Sequence, residues 1–256
     1  MGQVILETKG LSKAFSGKKV VSNIDFQLCE GEICALLGEN GAGKSTFKNM
    51  IVGLLEPTEG TISFDGKTVE DTKKEKFPIA AVHQELSLFL NLSVAENICI
   101  ENFPGKNNLV DWKECRAKAL KYMKIMDINL DPDAIVGTLG PGEQQLVEIA
   151  KALSHEPRVL ILDEPTASLT APEREHLFEV MNKLKKQNIG MIFITHFLDE
   201  VFQVCDRVVV LRNSEKVCDE KVKNVNKRQV EELMIGHSVN DGKFELGEVR
   251  AETALK

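Results

Sequence analysis

Residues 38–45 read Gly38-Glu39-Asn40-Gly41-Ala42-Gly43-Lys44-Ser45 and fit the pattern G-x-x-x-x-G-K-[ST] in full. Before them stands ICALLG, a run of small and apolar residues suited to a strand buried on both faces. After them KSTFKNMIVGLL reads as a helix. A glycine-rich loop between a buried strand and a helix start cradles phosphate. Its backbone N–H groups curl around the oxygens, and the helix N-terminus adds a favourable field. In that frame Lys44 reaches the β- and γ-phosphates, Ser45 ligates Mg²⁺ and Thr46 lies beside the α-phosphate.

Working outward, VILETKGLSKAF begins as a short strand and ends in a polar turn that holds Phe15, and NIDFQL alternates as a half-buried strand does. TISFDGKTV reads as a hairpin turning at Asp65-Gly66. From about 87 to 153 the pattern is mostly helical, with Trp112, Cys115, Ala119, Tyr122 and Met126 three or four residues apart. The second half alternates strand and helix. VLILD and MIFIT are buried strands, PEREHLFEVMNKLKKQ and FLDEVFQVC are helices, and DRVVVLRNSEKVCDE is a hairpin turning at Asn213-Ser214. A last helix stops at Gly236. This order predicts an α/β fold around a mixed, mostly parallel sheet. An antiparallel β subdomain stands at its N-terminus and a helical subdomain is inserted at about 87–153. The expected domain spans residues 1–236.

Acidic residues outnumber basic ones, 39 to 32, and the net charge of −7 argues against sequence-independent nucleic-acid binding. No apolar run approaches the roughly 18 residues that cross a bilayer. The N-terminal stretch lacks the basic lead and apolar core of a secretory signal. The six cysteines form no Cys-x-x-Cys pair and are expected to be reduced, buried thiols. Residues 237–256 are polar and aperiodic, like a linker. They also carry Val249, Glu252 and Thr253 in the frame of Val4, Glu7 and Thr8, so the alternative is the start of a truncated second ATPase domain.

Two further elements carry chemistry. VLILD ends on Asp163 and is followed by Glu164, which places two carboxylates at the C-terminal end of a buried strand, where open α/β sheets bind ligands. Asp163 is suited to holding Mg²⁺ through water, and Glu164 to polarising the water that attacks a γ-phosphate. His196 closes another apolar strand, and Gln84 follows the short strand IAAV.

The order of the phosphate loop, Gln84, a Leu-x-x-Gly-x-Gln segment, VLILDEPTASL and a strand-terminal histidine resembles the nucleotide-binding subunit of ABC transporters. The resemblance runs from residue 3 to about 236. AVHQELSLFLNLSVAENI, EQQLVEIAKALS and DEPTASLT resemble the N-terminal domain of bacterial monosaccharide importers of the ribose, galactose and xylose type. It implies that Phe15 stacks on the adenine of ATP, that Gln84 senses Mg²⁺ and the attacking water, and that Glu164 is the general base. It also implies that His196 contacts the γ-phosphate and that Ala167 to Thr170 cross a dimer interface. The implied partners are a second ABC ATPase domain, permease subunits and, indirectly, a sugar-binding protein. The implied place is the cytoplasmic face of the membrane, and the implied function is energising sugar import. The alternatives are a non-transport ABC ATPase or a weakly catalytic regulatory half.

The signature departs from the family pattern. In GTLGPGEQQ, Gly140 stands where a serine hydroxyl faces the γ-phosphate held by the other domain. One hydrogen bond to a charged group is lost, roughly 1.5–3 kcal/mol if nothing substitutes for it. The helix start survives, because Gly is only a few tenths of a kcal/mol worse than Ser as an N-cap and Pro141 suits the first helical position. Gly142 remains to let the backbone approach phosphate closely.

Overall fold

Two long strands, β1 (Val4–Phe15) and β2 (Lys18–Cys29), pair antiparallel at the start of the computed structural model, which describes residues 2–69, 78–106 and 109–236. The short strand expected at the N-terminus is therefore a strand of 12 residues, with Phe15 as its last residue. The reason is a bulge. Gly10 takes φ 58° at a register shift, and the Asp25 carboxylate accepts its N–H at 2.6 Å, so pairing resumes through the polar half.

Next come β3 (Ile33–Leu37), α1 (Lys44–Ile51), β4 (Glu59–Phe64), β5 (Lys67–Thr68) and β6 (Ile79–Val82). α1 is shorter than its sequence suggests: Gly53, at φ 79°, turns the chain, and the N–H groups of Leu54 and Leu55 donate back to the Asn49 carbonyl. Then follow α2 (Val94–Cys99), β7 (Gly105–Lys106), β8 (Leu109–Val110), α3 (Trp112–Met126) and α4 (Pro141–Leu153). The stretch expected to be mostly helical thus includes a small hairpin as well. The chain continues through β9 (Val159–Asp163), α5 (Ala171–Lys186), β10 (Gly190–Ile194), α6 (Leu198–Val204), β11 (Arg207–Arg212), β12 (Glu215–Lys221) and α7 (Lys227–Ile235). Asn213 and Ser214 both take positive φ in the β11–β12 turn, as a two-residue hairpin requires.

The strands form a four-stranded antiparallel sheet, β2-β1-β4-β5, and a six-stranded sheet, β12-β11-β3-β10-β9-β6. The larger sheet is parallel except for β12, so the mixed, mostly parallel α/β architecture holds. Alternation along its strands divides the core. Leu160, Leu162, Met191 and Phe193 face α4, α5 and the helical segment. Ile161, Ile192 and Ile194 face the antiparallel sheet and α1. Val94, Ala119, Met126 and Leu146 share one apolar cluster with the sheet, so the helical segment is cored against it. Among the described residues no helix is long and apolar enough to cross a membrane. The segment 237–256, expected to be a linker or a second-domain start, lies outside the described residues.

Candidate functional site

Parallel pairing sets the site. Leu36 of β3 is opposite Ile194 of β10, Ile194 is opposite Asp163 of β9, and Leu162 is opposite Val82 of β6. The C-terminal ends of these strands therefore lie side by side, and the residues that follow them emerge along one edge. They are the phosphate loop after β3, His196 after β10, Asp163 and Glu164 at the end of β9, and Gln84 after β6. A cavity of about 320 Å³ opens there, lined by Asn40, Gly41, Gly43, Lys44, Ser45, Thr46, Gln84, Asp163 and Glu164. Val20 and Ile194 complete the lining, so residues up to 174 positions apart in the chain face one space.

Close approach dictates two of the loop glycines. A Cβ on Gly38 would lie 2.3 Å from the Leu211 carbonyl oxygen. One on Gly43, which has φ 107° at the start of α1, would lie 2.6 Å from that of Val20. Ala42 N–H donates to Glu39 O, and the Lys44 ammonium folds over the loop, donating to Gly38 O at 2.6 Å and Glu39 O at 3.1 Å. Burial pulls the Lys44 amine below the usual lysine range, while the carboxylates of Glu164 and Asp163 oppose that shift.

Ser45, Gln84 and Asp163 supply a hydroxyl, an amide and a carboxylate around one cavity. These are hard oxygen donors of the kind Mg²⁺ takes alongside nucleotide phosphates. Among the described residues no cluster of three or more His, Cys, Asp or Glu could hold a metal alone. The donor set therefore fits Mg²⁺ shared with a nucleotide. Sequence reasoning missed the partner of Asp163: the Lys48 ammonium of α1 donates to its Oδ2 at 2.6 Å and lies 3.4 Å from His83 Nδ1.

Glu164 sits at φ 49° and donates its N–H to Ile194 O, which turns its carboxylate toward the next strand end. There His196 Nδ1 is 3.3 Å from Glu164 Oε1. A second missed residue, a carboxylate, stands behind this pair. Glu200 is 2% exposed, and its Oε2 accepts the hydroxyls of Thr166 at 2.9 Å and Thr195 at 3.0 Å. Its Oε1 faces Arg174 Nη1 at 3.5 Å. Glu200 thus ties the segment after Glu164 to the residue before His196. The available signal was an acid on the apolar face of a short helix, beside Val201 and Val204. A third link joins the Gln84 segment to α4: the Ser87 hydroxyl donates to buried Glu148 at 2.6 Å, and Lys151 Nζ donates to Ser87 O at 2.9 Å.

Gly38, Glu39, Ala42 and His196 do not line this cavity themselves, and neither do Phe15, Gly140 and Gly142. Phe15 is 48% exposed at the end of β1, with Lys13 Nζ 5.4 Å from its ring centre. Gly140 is the N-cap of α4 and Pro141 its first residue, as expected. Gly140 N–H donates to Glu143 Oε2 at 3.0 Å, and Gly142 N–H donates to Glu173 Oε1 at 3.1 Å. The close approach at Gly142 is thus made within the chain, since a Cβ there would lie 2.7 Å from the Glu173 side chain. Hydrogen bonds from the Thr170 hydroxyl, then from the backbone N–H groups of Thr170 and Gly142, hold the Glu173 carboxyl below the usual range.

Comparisons with known proteins bear on the family and the fold. The family model described as ABC transporter matches residues 21–167. The ribose import ATP-binding protein RbsA of Hahella chejuensis is 42% identical over 241 residues, which are 93% of this chain and 48% of that protein. The galactose/methyl galactoside import ATP-binding protein MglA of Escherichia coli K12 is 38% identical over 242 residues, again 93% of this chain and 48% of that protein. The chain therefore spans about half the length of the curated relatives it matches. Among solved structures, cbiO1 of Clostridium perfringens, part of the ABC transporter complex cbiONQ, superposes with a TM-score of 0.79 at 30% identity. That match covers 89% of this chain and 92% of the other. The dimeric post-hydrolysis state of the ATP-binding cassette MJ0796, bound to ADP and Pi, gives 0.71 at 27% identity, over 85% and 99% of the two chains.

Proposed function

The chain belongs to the ABC transporter family, and on that premise we propose that it binds and hydrolyses MgATP to energise import of a monosaccharide through a membrane permease. The observation that carries this reading is the single cavity shared by the phosphate loop, Gln84, Asp163 and Glu164. The import names of RbsA and MglA support the sugar, and the structure of MJ0796 with ADP and Pi supports the nucleotide.

In this reading Lys44 exchanges the carbonyls of Gly38 and Glu39 for the β- and γ-phosphates, and the loop N–H groups hold the same oxygens. Ser45, Gln84 and Asp163 would hold Mg²⁺, which when bound offsets charge on the phosphates. Glu164 draws a proton from the attacking water, and His196, 3.3 Å from it, fixes the carboxylate and faces the γ-phosphate. Phe15, half exposed at the end of β1, stacks on adenine. The signature at Gly140 and Gly142 serves the site of a second ATPase domain, so turnover requires two domains closed head to tail. The partners are that domain, permease subunits and, through them, a sugar-binding protein. The chain then works at the cytoplasmic face of the membrane.

The test is Glu164→Gln. Lengthy retention of ATP with loss of turnover is expected, and normal hydrolysis by the variant would refute the assignment of the base. One observation favours a second reading, a weakly catalytic regulatory half. Gly140 carries no hydroxyl, and the N–H groups of Gly140 and Gly142 already donate to carboxylates. MgATP turnover measured with the permease present separates the two readings.

A further inference from the structure

α1 buries Phe47, Met50 and Ile51 against the sheet, and Lys48 lies among these positions at 7% exposure. A lysine so placed is costly unless its charge is paired and hydrogen-bonded. Its partner is Asp163, at 2.6 Å, and among the described residues Asp163 makes no other ion pair. Lys44, by contrast, is turned onto the loop carbonyls. The carboxylate assigned to the metal therefore already has a positive charge on one oxygen, supplied by the helix that carries the phosphate loop.

We propose that Lys48 is a resident counter-cation of Asp163, with which Mg²⁺ must share that carboxylate, so that this chain holds its catalytic metal more weakly than an otherwise identical chain lacking that charge. The inference rests on the MgATP reading of Asp163. The same pair ties α1 to the end of β9, and His83, 3.4 Å from Lys48 Nζ, places the charge beside the Gln84 segment. Lys48 is thus a positioning residue, acting on metal and nucleotide through Asp163.

The test uses the full chain with ATP and Mn²⁺ as the metal probe, with bound Mn²⁺ read by electron paramagnetic resonance. A unit charge about 4 Å away alters the affinity of a carboxylate for a cation by roughly fivefold at the dielectric of water and by more nearer the protein interior. Lys48→Met and Lys48→Gln should therefore lower the Mn²⁺ concentration for half-saturation by about tenfold. Lys48→Arg, which keeps the charge, should stay near wild type. Unchanged half-saturation in cooperatively folded Lys48→Met and Lys48→Gln would overturn the inference while leaving the MgATP reading intact. Nucleotide-dependent Mn²⁺ binding absent from every protein, wild type included, would overturn both. Loss of cooperative unfolding in both neutral variants would make the pair a folding element and also overturn the metal role.

Discussion

Replacing Glu200 by alanine removes one buried acceptor shared by two hydroxyls, those of Thr166 and Thr195. Hydrogen bonds to a charged group contribute about 1.5–3 kcal/mol each, so the two together set a ceiling of about 3–6 kcal/mol. Relief of the buried carboxylate offsets part of that. The Arg174 contact, at 3.5 Å with Arg174 34% exposed, adds little because water screens it. We expect Glu200→Ala to destabilise the chain by about 2–4 kcal/mol. That corresponds to a Tm lowered by about 5–15 °C for a domain of this size. The assays are urea unfolding and ATP affinity of the chain, and MgATP turnover in the assembled transporter. Because Thr195 precedes His196, turnover should fall further than affinity in the folded fraction. Glu200→Gln keeps one acceptor oxygen and should lose less. A Glu200→Ala midpoint within experimental error of wild type, or equal loss of affinity and turnover, would refute the account of Glu200 as the brace between the two catalytic segments.

Two more expectations concern the signature. Gly140 sits at φ −68° and ψ 161°, and a Cβ there meets nothing closer than Glu143 Oε2 at 3.8 Å, so Gly140→Ser fits without strain. If the missing hydroxyl limits hydrolysis, restoring it should raise turnover in the assembled transporter about tenfold or more, the equivalent of at least about 1.5 kcal/mol. No gain would sink the weakened-site idea. Glu173 has a carboxyl held below its ordinary value of 4.5, so its contribution to stability is complete above that value. It is lost as pH falls through the lower, folded-state pKa. The stability gap between wild type and Glu173→Gln should therefore be flat near neutrality and close on acidification, as followed by denaturant unfolding at several pH values. A gap that widened toward acid would contradict the hydrogen bonds assigned to Glu173.

The phosphate loop, the two carboxylates at the end of β9, the strand-terminal histidine and the alternation of strand and helix were legible in the sequence. Each is a local pattern, because a buried strand needs a continuous apolar run and a phosphate loop needs glycines at fixed spacing. Loops and bulges were less legible. The extent of β1 turned on a bulge at Gly10 that closes only against Asp25 of the neighbouring strand. The strand order, which sets β10 between β3 and β9, was decided by packing, and it alone brings Gln84, Lys44 and Glu164 to one edge. The roles of Lys48 and Glu200 were not legible for the same reason. A charged residue on an apolar helix face has meaning only once its partner is known, and Asp163 lies 115 positions from Lys48. Spacing along the chain thus determined which chemistry the protein carries. Tertiary structure determined which charges meet, since a buried charge is tolerated only where the fold places its counterpart.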